Sequence, residues 1–478
     1  MVYMRKTKII CTLGPSTDDR EVLRQLCQNG MDVARLNFSH QNHETHLKRL
    51  QTLMEVRKEM NLPIASLADT RGPEIRIGKM NNDVVLKKGQ RFDLDYNMAV
   101  PGDVSRAAVT YEGLSDDIMP GNRILLDDGR IELRVDDVSN AKISCYIIDG
   151  GPLSSSKGIN IPGVKLSLPF ISSADRSDLR FIAQNKFDFV AASFTCSADD
   201  IIRIREELSR LGSPETMVIA KIENAEGVRN IDEILSVSDG IMVARGDMGV
   251  EVPLEDVPVI QKVIIKKAYN AGKVVITATQ MLESMIQNPR PTRAETNDVA
   301  NAIYDGTSAI MLSGETAAGE HPVEAVKTMA SIASRIECDI DYKKRFLKRD
   351  VDDNNTVTNA ISHATCTTAH DLGAEAIITV SKTGRTARMI SKYRPYCRIV
   401  GCTTSEIVCR QLNLSWGVTP AMMGEQTSTD ELFAQSVITT EKSGIIKDGD
   451  LVVITAGVPV GMSGTTNILK VHVVGDML

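Results

Sequence analysis

Lys221-Ile222-Glu223-Asn224 sets an ammonium and a carboxylate one residue apart at the end of the apolar run Met217–Ala220. The run reads as a β-strand. Strand side chains alternate faces, so Lys221 and Glu223 point one way and Ile222 the other. The carboxylate can hold a hard metal ion, and the ammonium can hold charge developing on a phosphoryl oxygen. A buried structural ion pair has the same local pattern.

Other polar groups end other apolar runs. Arg35, Asn37 and Ser39 follow one; Asp69-Thr70-Arg71-Gly72-Pro73-Glu74 follows a second. Ser193, Arg245-Gly246-Asp247, Thr277–Gln280 and Ser313-Gly314-Glu315 close four more. Glu223 and Asp247 are carboxylates without histidine, a donor set that favours Mg²⁺ or Mn²⁺ over zinc. Arg35 offers a bidentate fork for phosphate or carboxylate, and Lys221 a compact charge. Cations beside a hard metal suit phosphoryl transfer. Thr279 and Ser313 could bind substrate or relay a proton; hydroxyls satisfied by nearby backbone would look the same. Asn37, Ser39, Asp69 and Thr70 supply four oxygen donors, a single carboxylate among them, which could form a monovalent-cation site. Ser154-Ser155-Ser156-Lys157-Gly158 is a small, flexible, basic loop that could reach over a nucleotide. Ser381-Lys382-Thr383-Gly384-Arg385-Thr386 precedes a helix expected over Ala387–Tyr393. It reads as a phosphate cradle for a phosphorylated effector, or as an ordinary capped helix start.

These residues must be positioned by a scaffold, and the pattern supplies one. Short apolar runs at Lys8–Thr12, Val33–Phe38, Ile64–Asp69, Phe189–Phe194, Val218–Glu223, Ile241–Ala244, Val274–Ala278 and Ala309–Ser313 alternate with helix-length amphipathic segments. About eight strands in βα repeats predict an α/β fold built on a closed (β/α)8 TIM barrel, whose active site gathers at the C-terminal strand ends. From about Arg71 to Pro169 the helical period gives way to alternating segments, with Asp128-Gly129 as a hairpin signal. This predicts an inserted small β-barrel that acts as a lid. A charged linker at Asp339–Asn355 then leads to a C-terminal α/β domain for an effector. The expected division is 1–70 with 170–338 as barrel, 71–169 as lid and 339–478 as the C-terminal domain.

Of the 478 residues 42% are hydrophobic and 24% charged, the profile of a soluble multidomain protein. A net charge of −7 without a basic patch argues against nucleic-acid binding. The segment Met1–Ile10 lacks the apolar core of a signal peptide, and no run is long enough to span a membrane. The nine cysteines include no Cys-x-x-Cys pair, which fits reduced thiols and a cytoplasmic location. Cys397, Cys402 and Cys409 have no histidine near them for zinc.

At the level of whole motifs the sequence resembles the pyruvate kinase family over nearly its full length. The likeness rests on Ala34–His40, Asp69–Arg76, Lys157–Gly163, Ile219–Asn224, Ala244–Asp247, Ala278–Met285 and Met311–Thr316. It implies phosphoryl transfer from phosphoenolpyruvate to ADP, giving pyruvate and ATP, the last step of glycolysis. By resemblance, Glu223 and Asp247 hold Mg²⁺, Lys221 stabilises the phosphoryl group and Arg35 grips the substrate phosphate. Ser193, Gly246 and Thr279 line the substrate site, and Thr279 and Ser313 are linked to enolate protonation. His40, Arg76 and Lys157 contact the nucleotide. Asn37, Ser39, Asp69 and Thr70 match K⁺ ligands, and Glu74 matches the acidic residue that accompanies K⁺ dependence. A homotetramer is implied, with an effector site at Ser381–Thr386 and the Gly464–Asn467 loop. Arg71 stands where the family usually has lysine and Gln41 where it has glycine; Lys382 and Thr383 depart from the fructose-bisphosphate type of loop. A Mg²⁺-dependent enolpyruvate lyase or aldolase on the same barrel is the alternative, and a catalytically inert binding protein a further one.

Overall fold

The computed structural model describes residues 5–139, 142–348, 356–460 and 466–477. Residues 349–355 of the expected linker, and Gly464 and Thr465 of the later effector loop, lie outside the described residues. Eight parallel strands close into a barrel: Lys8–Thr12, Val33–Asn37, Ala65–Asp69, Phe189–Ala192, Met217–Ile222, Gly240–Ala244, Val274–Ala278 and Ala309–Leu312. The seam pairs Lys8 with Ala309 and Cys11 with Leu312. Every strand residue but Asn37 is buried, because one face fills the barrel and the other meets the helices. Leu67, Phe189, Ile219, Met242, Ile276 and Met311 pack inside. Leu36, Val190, Ile222, Val243 and Leu312 face the helical shell.

Between the third and fourth barrel strands lies the predicted β insertion. Seven strands form one sheet, ordered Ile75–Arg76, Gly158–Asn160, Arg123–Leu126, Ile131–Ser139, Lys142–Asp149, Arg91–Asp95 and Arg106–Ala108. Its two edges meet. Ile77 bridges Val109, the Gly78 N–H donates to Ala108 O at 2.8 Å and the Thr110 N–H to Arg76 O at 3.0 Å. That closure makes the insertion a small barrel and removes the exposed edges. The expected two-residue hairpin differs: Leu126 pairs with Ile131, so the turn holds Asp127, Asp128, Gly129 and Arg130. Its first three residues are all left-handed, which Asp tolerates through local hydrogen bonding. The Ser154–Gly158 loop is tied down rather than free. The Ser155 hydroxyl accepts the Met80 N–H at 2.9 Å, and the Ser156 N–H donates to Gly78 O at 3.2 Å.

The chain after the barrel corrects one expectation. The helix Pro322–Asp339 runs into the presumed linker, and Tyr342–Leu347 forms a second helix there. Tyr342 and Phe346, four residues apart on one helical face, are buried against Trp416 and His370 respectively. The C-terminal sheet has five strands ordered Val418–Met422, Arg398–Thr403, Ala376–Val380, Leu451–Ala456 and Ile468–Val473, the last antiparallel. This unit plugs the N-terminal mouth of the barrel. Leu414 is fully buried among the interior side chains, and the Asn413 amide donates to Asp32 O at 2.9 Å. Among the described residues no helix is long and apolar enough to cross a membrane.

Candidate active site

The fifth strand places Lys221 as expected, with Glu223 just beyond its end. Lys221 Nζ lies 2.9 Å from Glu223 Oε1, 3.0 Å from Asp69 Oδ1 and 2.7 Å from the Ser193 hydroxyl, to which it donates. Three neighbouring strand ends therefore share one ammonium. Burial alone would lower the Lys221 pKa, but Asp69 and Glu223 outweigh it and the value is raised. For Asp69, burial works upward, yet Lys221 and Arg35 hold the carboxyl below its usual range. Glu223 goes the other way: burial, reinforced by Asp247, pushes it up to about 7 despite Lys221. Its Oε2 accepts the Phe194 N–H at 2.6 Å. Oε1 touches Lys221 but has no aligned hydrogen bond although it is buried. A buried carboxylate oxygen paired with one ammonium keeps a lone pair that can serve a cation.

Arg35 reaches across the rim. Its Nε and Nη2 both lie 2.7 Å from Asp69 Oδ2, and Nη1 donates to the Thr12 hydroxyl at 2.9 Å. Thr12 closes the first strand, the one strand end to which the sequence had assigned no polar group, so all eight ends contribute. Asp69 is saturated by these partners: Oδ2 serves Arg35 twice, while Oδ1 faces Lys221 and accepts the Ser193 hydroxyl at 3.2 Å.

Asn37 and Ser39 are placed by a turn rather than by strand alternation. The second strand stops at Asn37, whose side-chain oxygen accepts the Ser39 N–H at 3.1 Å. Thr70 stands beside them at the end of the third strand, and its carbonyl accepts the Ser193 hydroxyl at 2.6 Å. His40 is exposed, and Gln41 has a φ of 68°, so the non-glycine residue keeps a left-handed turn. Arg76 and Lys157 come together where Arg76 pairs with Gly158. Both hold acids: Arg76 pairs with Glu74 at 2.6 Å and Lys157 with Asp127 at 2.7 Å.

On the opposite side, Asp247 sits in the first turn of the helix Arg245–Glu251 that follows the sixth strand. The Gly246 N–H donates to the Thr279 hydroxyl at 2.8 Å. Thr279 and Gln280 have φ values of 69° and 54°, a left-handed pair that a β-branched residue rarely adopts. Ser313 follows the eighth strand, and its N–H donates to Glu315 Oε2 at 2.7 Å. Glu315 is buried, accepts the Leu282 N–H at 3.0 Å as well, and has its pKa raised by burial. It ties the loops after the seventh and eighth strands together. Sequence reading noticed Glu315 at a strand end without giving it this work, and gave Arg245 none. The clue was there for Arg245: a long cation directly before the Gly-Asp pair.

Glu223 and Asp247 fit a Mg²⁺-type ion: two carboxylates, one of them buried against Lys221, offer hard oxygens and leave the other positions to substrate and water. Among the described residues no cluster of three or more His, Cys, Asp or Glu side chains competes with them.

The Ser381–Thr386 loop lines a cavity of about 340 Å³ in the C-terminal unit. The helix there runs Arg385–Lys392, and its cap Gly384 has a φ of 71° with no side chain capping the first turn. The first-turn N–H groups are thus left to other partners, as a phosphate cradle requires. Thr386 and Thr466 share a hydroxyl hydrogen bond of 2.8 Å at its floor.

Residues 4–326 match the family model for the pyruvate kinase barrel domain, and residues 359–472 match its alpha/beta domain. The chain is 49% identical over 477 residues to a pyruvate kinase of Geobacillus stearothermophilus, covering 99% of this chain and 81% of that one. It is 48% identical over 472 residues to a pyruvate kinase of Clostridium acetobutylicum, covering 98% and 100% respectively. A crystal structure of a pyruvate kinase from Cryptosporidium parvum superposes with a TM-score of 0.91 at 38% identity, covering 98% of this chain and 96% of that one.

Proposed function

The chain belongs to the pyruvate kinase family of phosphotransferases, and on that premise we propose how its residues share the work. The substrates are phosphoenolpyruvate and ADP. Arg35 and Lys221 receive the phosphate of phosphoenolpyruvate, Ser193 holds Lys221, and Gly246 with Thr279 receives the carboxylate. Glu223 and Asp247 would hold Mg²⁺ (or Mn²⁺), which would supply positive charge to offset the charge of the phosphoryl group. His40, Arg76 and Lys157 contact ADP beneath the small β-barrel, which acts as a lid. Thr279 and Ser313 serve protonation of the enolate. Asn37, Ser39, Asp69 and Thr70 hold K⁺; the crowding on Asp69 links that site to substrate, because a phosphate drawing Arg35 away frees carboxylate lone pairs.

The observation that carries this reading is the buried Lys221 ammonium held 2.9 Å from Glu223 and 3.0 Å from Asp69. It supports a charge poised for a phosphoryl group and an adjacent metal position. The lyase alternative is not favoured, since the family match runs through barrel and alpha/beta domain together. ATP formation from phosphoenolpyruvate and ADP is the direct test. Lys221→Met should retain Mn²⁺ binding yet lose more than about 10²-fold in kcat; undiminished turnover would remove Lys221 from the mechanism. Replacing K⁺ with tetramethylammonium at constant ionic strength should sharply lower the initial rate, and an unchanged rate would discard the K⁺ site.

For function the chain divides as 1–70 with 170–338, 71–169 and 339–478. The Ser381–Thr386 cavity takes a phosphorylated effector, and rates at subsaturating phosphoenolpyruvate across sugar phosphates and nucleotides would identify it. The reading also carries a cytoplasmic homotetramer, which sedimentation would test.

A further inference from the structure

Thr279 holds a backbone conformation it does not favour. A β-branched residue at a φ of 69°, followed by Gln280 at 54°, is strained and persists only where neighbours fix it. The neighbour is Arg245. Its Nη2 donates to Thr279 O at 2.6 Å and its Nε to Ala278 O at 3.2 Å. Outward, Nη1 pairs with Asp298 Oδ1 at 2.6 Å and donates to Gln261 Oε1 at 3.4 Å, which anchors the guanidinium to the helices Arg293–Asp305 and Val257–Asn270. The next residue, Gly246, grips the same threonine from the other end, its N–H on the hydroxyl at 2.8 Å, and the hydroxyl donates to Ala278 O at 2.6 Å, the carbonyl that Arg245 also meets.

We propose that Arg245 is a positioning residue that sets the aim of the Thr279 hydroxyl for proton delivery at the enolate carbon. The inference rests on the role proposed above for Thr279. A planar fork meets two adjacent carbonyls and a carboxylate at once; a lysine cannot. Loss of the fork releases the strained turn, and a displacement of about 1 Å at a reacting group costs on the order of 10²-fold.

The test is a double-mutant cycle of Arg245→Lys and Thr279→Ala in the full-length enzyme with Mg²⁺ and K⁺. It reads kcat, KM for phosphoenolpyruvate, and hydrogen–deuterium exchange at C3 of pyruvate by NMR. Exchange isolates proton transfer, so a merely structural role would not move it selectively. Arg245→Lys should slow exchange by about 10- to 100-fold. In the Thr279→Ala background it should add less than about twofold, because both changes remove one effect. Multiplying losses overturn the inference and leave the role of Thr279 standing. Undiminished exchange in Thr279→Ala overturns that role and the inference with it. If Arg245→Lys fails to fold, Asp298→Asn, which loosens the same guanidinium from a half-exposed helix position, carries the cycle with the same outcomes.

Discussion

Glu223 joins the electrostatics of the site to its chemistry. Its carboxyl sits near 7 because burial disfavours the charge and Asp247 adds repulsion. A folded-state value above the ordinary 4.5 means that its stabilising share in the metal-free protein is full below about pH 4.5. That share is lost as the pH rises through 7. A divalent ion needs the opposite form, so binding must expel a proton at acidic pH. Mn²⁺ affinity, followed by calorimetry or electron paramagnetic resonance, should weaken toward about tenfold per unit as the pH falls below 7. Glu223→Gln should abolish that slope along with most of the affinity. A wild-type affinity that is flat between pH 5 and pH 7 would show that burial does not hold the Glu223 carboxyl up. The identities of Lys221, Glu223 and Asp247 were legible as chemistry in the sequence. The direction of each pKa was not, because it depends on burial and on Asp69, a residue 152 positions away from Lys221 along the chain.

At the scale of elements, the hinge into the lid carries the most consequence. Gly72 has a φ of 73°, and a Cβ there would stand 2.9 Å from the Ser193 Cβ and 3.0 Å from the Phe194 ring. Its N–H donates to Asp175 at 3.1 Å, and Arg71 lies 3.3 Å from Asp178, so one helix clamps both hinge residues. Gly72→Ala should therefore do two things. Left-handed strain and overpacking should destabilise the protein by about 1–3 kcal/mol, measured by denaturant unfolding. Pushing Ser193 off its 2.7 Å contact with Lys221 should lower kcat/KM by about tenfold or more. Full activity in that variant would show that the hinge and Ser193 are not packed as described. The turn-formers in Arg71-Gly72-Pro73 marked a boundary in the sequence. Their contact with a residue over a hundred positions later could not be read from local pattern.

Across the whole molecule, the C-terminal unit is docked through buried polar contacts. Asp188, fully buried just before the fourth barrel strand, accepts the Arg410 Nε–H at 2.8 Å and the Ser66 N–H at 2.8 Å. Arg57 stands farther off, at 3.9 Å. Removing one partner of such a pair strands a buried charge, at about 3–5 kcal/mol. Arg410→Met should destabilise the docked arrangement by that order and make the C-terminal unit separately protease-sensitive. Asp188→Asn in the same chain should recover part of the loss. Unaltered unfolding in Arg410→Met would mean that this pair does not hold the two units together.

The eight-strand count, the inserted β segment, the C-terminal α/β pattern and the polar strand ends all followed from the sequence, because periodicity and residue type are local properties of a chain. Shared partners did not follow. That Lys221 serves three strand ends, that Arg35 and Lys221 fill Asp69, that Arg245 pins Thr279 and that Leu414 plugs the barrel are consequences of closure. A ring of strands brings distant residues within 3 Å of one another, and low-dielectric burial then decides which of them keep their charge.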